Sequence, residues 1–177
     1  MGDTVGMTII TDVRPVDFND KAATAEAIDD FAKNFAYADI EHALEISPNG
    51  NMYSLTGTAL DVDSLLIGKE ALKGSISIHN HVVEPGKDKG DSFSLKDLKF
   101  ASEHELGKQY LVSGTRFDAF ELAEYCPIEV LEAIWSEARY AMWEKHLENF
   151  TEVAFEYQDI LREFGNYLKG FEYYEYI

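Results

Sequence analysis

His79 and His81 flank a single residue, Asn80, at the end of the run Ser75-Ile76-Ser77-Ile78. That run alternates polar and apolar residues as a half-buried strand does. Side chains two apart on a strand point to the same face, so both imidazoles project together. Downstream stands Ser94-Leu95-Lys96-Asp97. Ser94 suits the N-cap of a helix over about residues 95–104, which places Asp97 in its first turn. The helix dipole favours a carboxylate there. Two neutral imidazoles and one carboxylate form a three-ligand zinc set that leaves a fourth position for water. His79, His81 and Asp97 are therefore the candidate metal ligands, with Ser94 one turn before Asp97 on the same side. Taken alone, Ser94 and Asp97 would read as a capping box; the His-x-His before them favours a metal site.

The remaining histidines carry less chemistry. His42 falls on the apolar face of its strand and reads as structural. His104 lies at a helix end, where its charge complements the dipole. His146 sits on the helical tail and reaches the site only through tertiary packing. Asn80 points away from the two histidines and is placed to fix the adjoining loop.

Several elements must hold these groups. Lys21 to Ala36 is Ala-rich and carries Ala27, Ile28, Phe31 and Phe35 on one stripe, a helix capped by Asn19 or Asp20. Residues 39–46 alternate, with Ile40, His42, Leu44 and Ile46 on one face and Glu41, Ala43 and Glu45 on the other. Pro48-Asn49-Gly50-Asn51 turns the chain into a hairpin partner over residues 52–57, with residues 59–63 as its extension. Val83 to Asp91 holds Pro85, Gly86 and Gly90 among mixed charges and reads as an exposed, mobile loop. Residues 109–113 and 116–122 form a strand pair around Gly114-Thr115. From Pro127 the period becomes helical, as two helices broken near Asn149 or as one long helix. Ile134, Trp135, Trp143, Leu147 and Phe150 are expected to pack on the core. The aromatic alternation of residues 171–177 reads as a short terminal strand.

The order of these motifs resembles the JAMM (MPN+) metalloprotease family, and the local form is most similar to its bacterial and phage branches. That family carries a Glu on an upstream strand, then His-x-His-Pro, a loop, and Ser-x-x-Asp opening a helix. Here the resemblance rests on His79-Asn80-His81, Asp91-Ser92-Phe93-Ser94 and Asp97, and it spans roughly residues 39–122. Val82 stands where the family has Pro, and the loop over residues 82–93 is longer than usual.

The resemblance implies an α+β fold of α/β/α type. A mixed, mostly antiparallel sheet is flanked by helices in a cytidine-deaminase-like core, and a C-terminal helical extension follows. With the pattern outside the resemblance, the chain divides into a flexible N-terminal arm without sustained period (residues 1–20), the metalloprotease-like core (21–125) and a helical extension packed on it (126–177). The resemblance implies a bound zinc ion and hydrolysis of a peptide or isopeptide bond, in a ubiquitin-like conjugate or a protein tail. Glu41, at the head of the first hairpin strand, is the implied general base, with Glu45 as the alternative. Ser94 is the implied oxyanion donor. The implied partners are a protein or peptide substrate and, through the C-terminal helices, a second copy or another protein.

Composition limits the alternatives. The 177 residues suit one domain with an ordinary apolar share of 46%. Fifteen Lys and Arg against 33 Asp and Glu leave a net charge of −18. A basic patch for nucleic acid or for an anionic membrane is thereby excluded. A non-catalytic binding module on the same fold, or an acidic decoy that mimics DNA, remains compatible with this charge. The single cysteine, Cys126, rules out an internal disulfide and reads as a buried thiol. The N-terminal residues lack the pattern of a secretory signal, and no apolar run is long enough for a bilayer, so a cytoplasmic location is expected.

Overall fold

Alternation and turn chemistry build most of the sheet. The computed structural model describes residues 7–123, 125–149 and 156–176. Its strands are β1 (Ile9–Pro15), β2 (His42–Ile46), β3 (Asn51–Thr56), β4 (Ile76–Asn80), β5 (Gln109–Ser113), β6 (Arg116–Leu122) and β7 (Phe171–Tyr176). Its α-helices are α1 (Lys21–Phe35), α2 (Lys69–Leu72), α3 (Leu95–Glu103), α4 (Ile128–Asn149) and α5 (Tyr157–Phe164). The seven strands form one mixed sheet in the order β1-β3-β2-β4-β5-β6-β7. Only β4 and β5 pair in parallel, and the connection between them contains α3.

Strand periodicity sends side chains to two cores. On one face Ile28 and Phe31 of α1 pack against Leu44, Ile46, Met52, Ile78 and Val112. Asp20 caps α1 by accepting from the backbone N–H of Ala22 and Ala23. On the other face α3, α4 and α5 cover Leu111 and Phe120 with Leu98, Leu131, Trp135, Leu161 and Phe164. The fold is thus α+β, a mostly antiparallel mixed sheet flanked on both faces by helices.

Four expectations are corrected. Ile9–Pro15, read as part of a flexible arm, is the edge strand β1, which pairs antiparallel with β3. The open edge of the β2–β3 hairpin offers it a full ladder of backbone partners. Residues 59–63 do not extend β3. They turn instead, with the Thr58 N–H bonded to the Asp61 carbonyl, and lead into a 3-10 helix over Ser64–Ile67. The tail is two helices followed by the terminal strand expected from its alternation, and β7 joins the sheet beside β6, so the segment read as a helical extension also supplies the sheet with a strand. Within α4, Trp135 is buried and Ile134 packs on the core, but Trp143 and Leu147 are 48% and 55% exposed. The apolar stripe outlasts the cover that α3 and α5 provide. Phe150 lies outside the described residues.

The loop after His81 is exposed from Glu84 to Lys89, as expected, yet its far end is tied down. Lys89 bridges to Gly114, and the Ser113 hydroxyl accepts from the Gly90 N–H while donating to the His81 carbonyl. A side chain at Gly90 would meet Ser113 Oγ at 2.3 Å, so this approach requires glycine. Arg116, buried in β6, donates to the Gly90 carbonyl, to Asp118 and to Gln158 of α5. Asp118 also accepts from Ser92 and from Tyr173 of β7. This network joins the loop, α5 and β7 immediately before Ser94.

Candidate metal centre

The site lies at the C-terminal end of β4, where His79 is in the strand and His81 follows it. Ser94 caps α3 as expected, and a full capping box is present. The Asp97 carboxylate accepts from both the backbone N–H and the hydroxyl of Ser94, each at 2.7 Å. Capping and ligand geometry coexist, because the carboxylate has two oxygens. Oδ2 holds the cap, while Oδ1 faces His79 Nε2 at 3.5 Å. His81 Nε2 lies 3.8 Å from Oδ2, and the two Nε2 atoms are 3.2 Å apart.

These separations suit a metal ion. Ligand atoms about 2.0–2.2 Å from a tetrahedral centre stand roughly 3.3–3.6 Å from one another. His81 Nδ1 lies 3.2 Å from the Asp91 carbonyl. A proton on Nδ1 makes that hydrogen bond and leaves Nε2 as a lone pair facing His79 and Asp97, an arrangement typical of metal-binding histidines. Burial holds the His79 imidazole well below its usual pKa, so it is neutral and able to ligate. Burial pushes the Asp97 carboxyl up, but His79, His81 and Ser94 together outweigh that and hold it below its usual range. Among the described residues, His79, His81 and Asp97 are the group that could hold a metal ion.

Strand register places the neighbouring acid. β2 runs antiparallel to β4 with Ala43 opposite His79. Continued by two residues, this register sets Glu41 opposite His81 and on its face. The charges of His81 and Asp97 both act on the Glu41 carboxyl, which burial pushes up to about 7. Glu45 shares the face but lies opposite Ser77, roughly 13 Å further along the strand. It is buried among the hydroxyls of Ser64, Ser75 and Ser77, which all donate to it. Burial raises its carboxyl to about 7 as well, and the three hydroxyls moderate the rise.

Asn80 does more than face away. Its side-chain oxygen accepts from the His42 N–H at 2.6 Å and its amide donates to the Ile40 carbonyl at 3.0 Å. The two backbone groups that bracket Glu41 are thus clamped by the residue between the two histidines. His42 stacks on Phe35 and bonds Thr56, a structural role. His104 is buried against Phe100 at the end of α3, and its Nδ1 has no hydrogen-bond partner. The side chain of His146 lies outside the described residues. Cys126 is a buried free thiol, pushed up by burial.

Sequence reasoning brought together His79, His81, Asp97, Ser94 and Glu41. It missed the clamp made by Asn80, the serine cradle of Glu45 and the Arg116–Asp118 network. A signal for the cradle was present, since Ser75 and Ser77 share the alternation of His79. Among the described residues, no helix is long and apolar enough to cross a membrane. Comparison with known proteins assigns no family: no family model, no curated protein and no solved structure matches the chain.

Proposed function

We propose that the protein is a zinc-dependent hydrolase of amide bonds, a peptidase or isopeptidase with a JAMM-like core. The observation that carries this reading is the convergence of His79 Nε2, His81 Nε2 and an Asp97 oxygen, with the Glu41 carboxyl beside them. A zinc ion held by these three residues supplies a Lewis acid and lowers the pKa of water to about 7.

The chain's own residues supply the rest. A carboxyl poised near 7 is matched to proton transfer at neutral pH. Glu41 takes the proton of the attacking water and returns it to the leaving amine. Asn80 holds the backbone on both sides of Glu41, which keeps that carboxyl aimed at the site. Ser94 donates its hydroxyl proton to Asp97, so its first role is to orient this ligand. Service as an oxyanion donor requires that proton to turn away from Asp97. Support also comes from the position of His79 and His81 at the C-terminal end of a parallel strand, where ligands commonly bind in open sheets.

The test is turnover of a panel of peptides, tailed proteins and isopeptide conjugates by the zinc-loaded chain. Glu41→Gln should keep zinc and lose turnover, because an amide cannot take up the proton. Unchanged turnover by Glu41→Gln, or none by the wild type across the whole panel, would overturn the reading.

A further inference from the structure

Beside the metal centre, a cavity of about 110 Å³ extends from Glu41, His79 and Asp97 to Glu45, Ser64 and Ser77. Its walls include Val62, Phe93, Phe100 and Phe120. An apolar cavity of about 150 Å³ takes a benzene ring. The space here therefore fits a narrow chain of about five heavy atoms.

The charge of the lining is one-sided. Leaving Asp97 to the metal, the carboxylates of Glu41, Glu45, Asp61 and Asp63 line the cavity. They face one cation, Lys96, which is paired with Asp61 at 2.6 Å. At the far end Glu45 is 1% exposed. Its Oε1 accepts from Ser64 and Ser77, whereas its Oε2, among the described residues, accepts only from Ser75, at 3.3 Å. A carboxylate oxygen has room for a further donor. Aromatic walls clothe an alkyl stem and attract a cation at its end.

We propose that this channel receives a primary ammonium on an unbranched alkyl stem, with the charged head on Glu45 and the stem between Phe93, Phe100 and Phe120. On the hydrolase reading, the group is a lysine-like side chain of the substrate flanking the bond to be cut. As a statement about substrate this rests on that reading; as a statement about binding it does not. The serine hydroxyls keep Glu45 in place with or without the guest. An anionic side chain is repelled by Asp61, Asp63 and the ionised forms of Glu41 and Glu45, and a neutral one leaves the Glu45 acceptor unmet.

Calorimetric titration of the full chain, zinc-loaded and metal-free, with n-butylammonium chloride tests the proposal. 1-Butanol and butyrate are the neutral and anionic probes of the same length. n-Butylammonium should bind about tenfold or more tightly than 1-butanol, the range of one hydrogen bond to a charged group, and butyrate should not bind the metal-free chain. Glu45→Gln should remove that preference at unchanged zinc content. Equal binding of the butylammonium and 1-butanol probes, or a preference that survives Glu45→Gln, would overturn it. If Glu45→Gln does not fold, Val62→Trp, which fills the channel from its half-buried wall, must abolish n-butylammonium binding; persistence of binding overturns the proposal. Failure to take up zinc, with n-butylammonium still bound, would sink the hydrolase reading alone. Turnover without n-butylammonium binding would sink the channel alone.

Discussion

Two buried polar clusters occupy the same face of the sheet, and they differ in how their atoms are satisfied. In the Arg116 cluster, donors meet acceptors. The guanidinium bonds Asp118, Gln158 and the Gly90 carbonyl, and Asp118 accepts from Arg116, Ser92 and Tyr173. Burial and the neighbouring Asp118 push the Tyr173 hydroxyl far above its ordinary pKa, so it stays a donor. In the cluster of His79, His81 and Asp97, atoms of ligand type converge instead, with two Nε2 atoms 3.2 Å apart beside a carboxylate. With both imidazoles protonated at Nδ1, that convergence sets acceptors against one another, which is costly unless a cation arrives. The first arrangement describes a structural fastener, and the second a group that could hold a metal ion.

This contrast can be broken at several points. The largest effect falls on the metal. His81→Ala or Asp97→Ala should lower zinc from close to one ion per chain to near zero by elemental analysis, because two ligands do not hold a structural or catalytic zinc. Full zinc content in either variant would remove the distinction.

Next comes the fastener. Arg116→Met leaves Asp118 buried without its cation, at a cost of about 3–5 kcal/mol. Urea unfolding measures this loss. The fraction that stays folded should still bind zinc, since Arg116 touches none of the three ligands. Selective loss of zinc at unchanged stability would show that the two clusters are one.

A third effect is in pH. The Glu45 carboxyl rises on folding from about 4.5 to about 7, driven by burial. Between these values the folded chain keeps a proton that the unfolded chain has released. Its contribution is fully present below about pH 4.5 and is lost as pH rises through about 7, an effect on the order of 3 kcal/mol. Urea unfolding of the metal-free protein should therefore show stability falling across this window. Glu45→Gln should flatten the slope, leaving two opposed parts: Glu41, raised in the same direction, and His79, which burial holds low and which therefore favours folding as pH rises. A slope unchanged by Glu45→Gln would mean that the serines hold Glu45 ionised.

The smallest effect is that of Ser94. Removing its hydroxyl by Ser94→Ala should weaken zinc binding about 10–100-fold, the usual range for groups that orient a ligand. Competition with a chelator of known affinity measures it. Unchanged affinity with slowed turnover would return Ser94 to the oxyanion role.

What could be read directly was local. The periods of two and of 3.6 located β2, β4, β5, β6 and α1, because these patterns record which face of an element is buried, and the Ser94 cap located α3, while the helical tail was left open between one helix and two. The same logic put His79 and His81 on one face and Asp97 in the first turn of α3. Their order also suggested the family resemblance, which no comparison with known proteins supports.

Tertiary structure decided everything that depends on which element lies beside which. Glu41 and Glu45 are equivalent in the alternation of β2. Only the register of β2 on β4, which pairs Ala43 with His79 and Glu45 with Ser77, tells them apart, and continued past the strand ends it carries Glu41 toward His81. Trp135 and Trp143 share a helix, yet only Trp135 lies where neighbouring elements cover it. β1 gave no periodic signal because all seven of its residues are exposed, and its place was set by the free edge of β3. Arg116, Asp118, Gln158 and Tyr173 come from distant parts of the chain, so their pairing follows from the sheet order and the placement of α5. Local pattern reports burial within one element, whereas a site with partners from several strands exists only once those strands are paired.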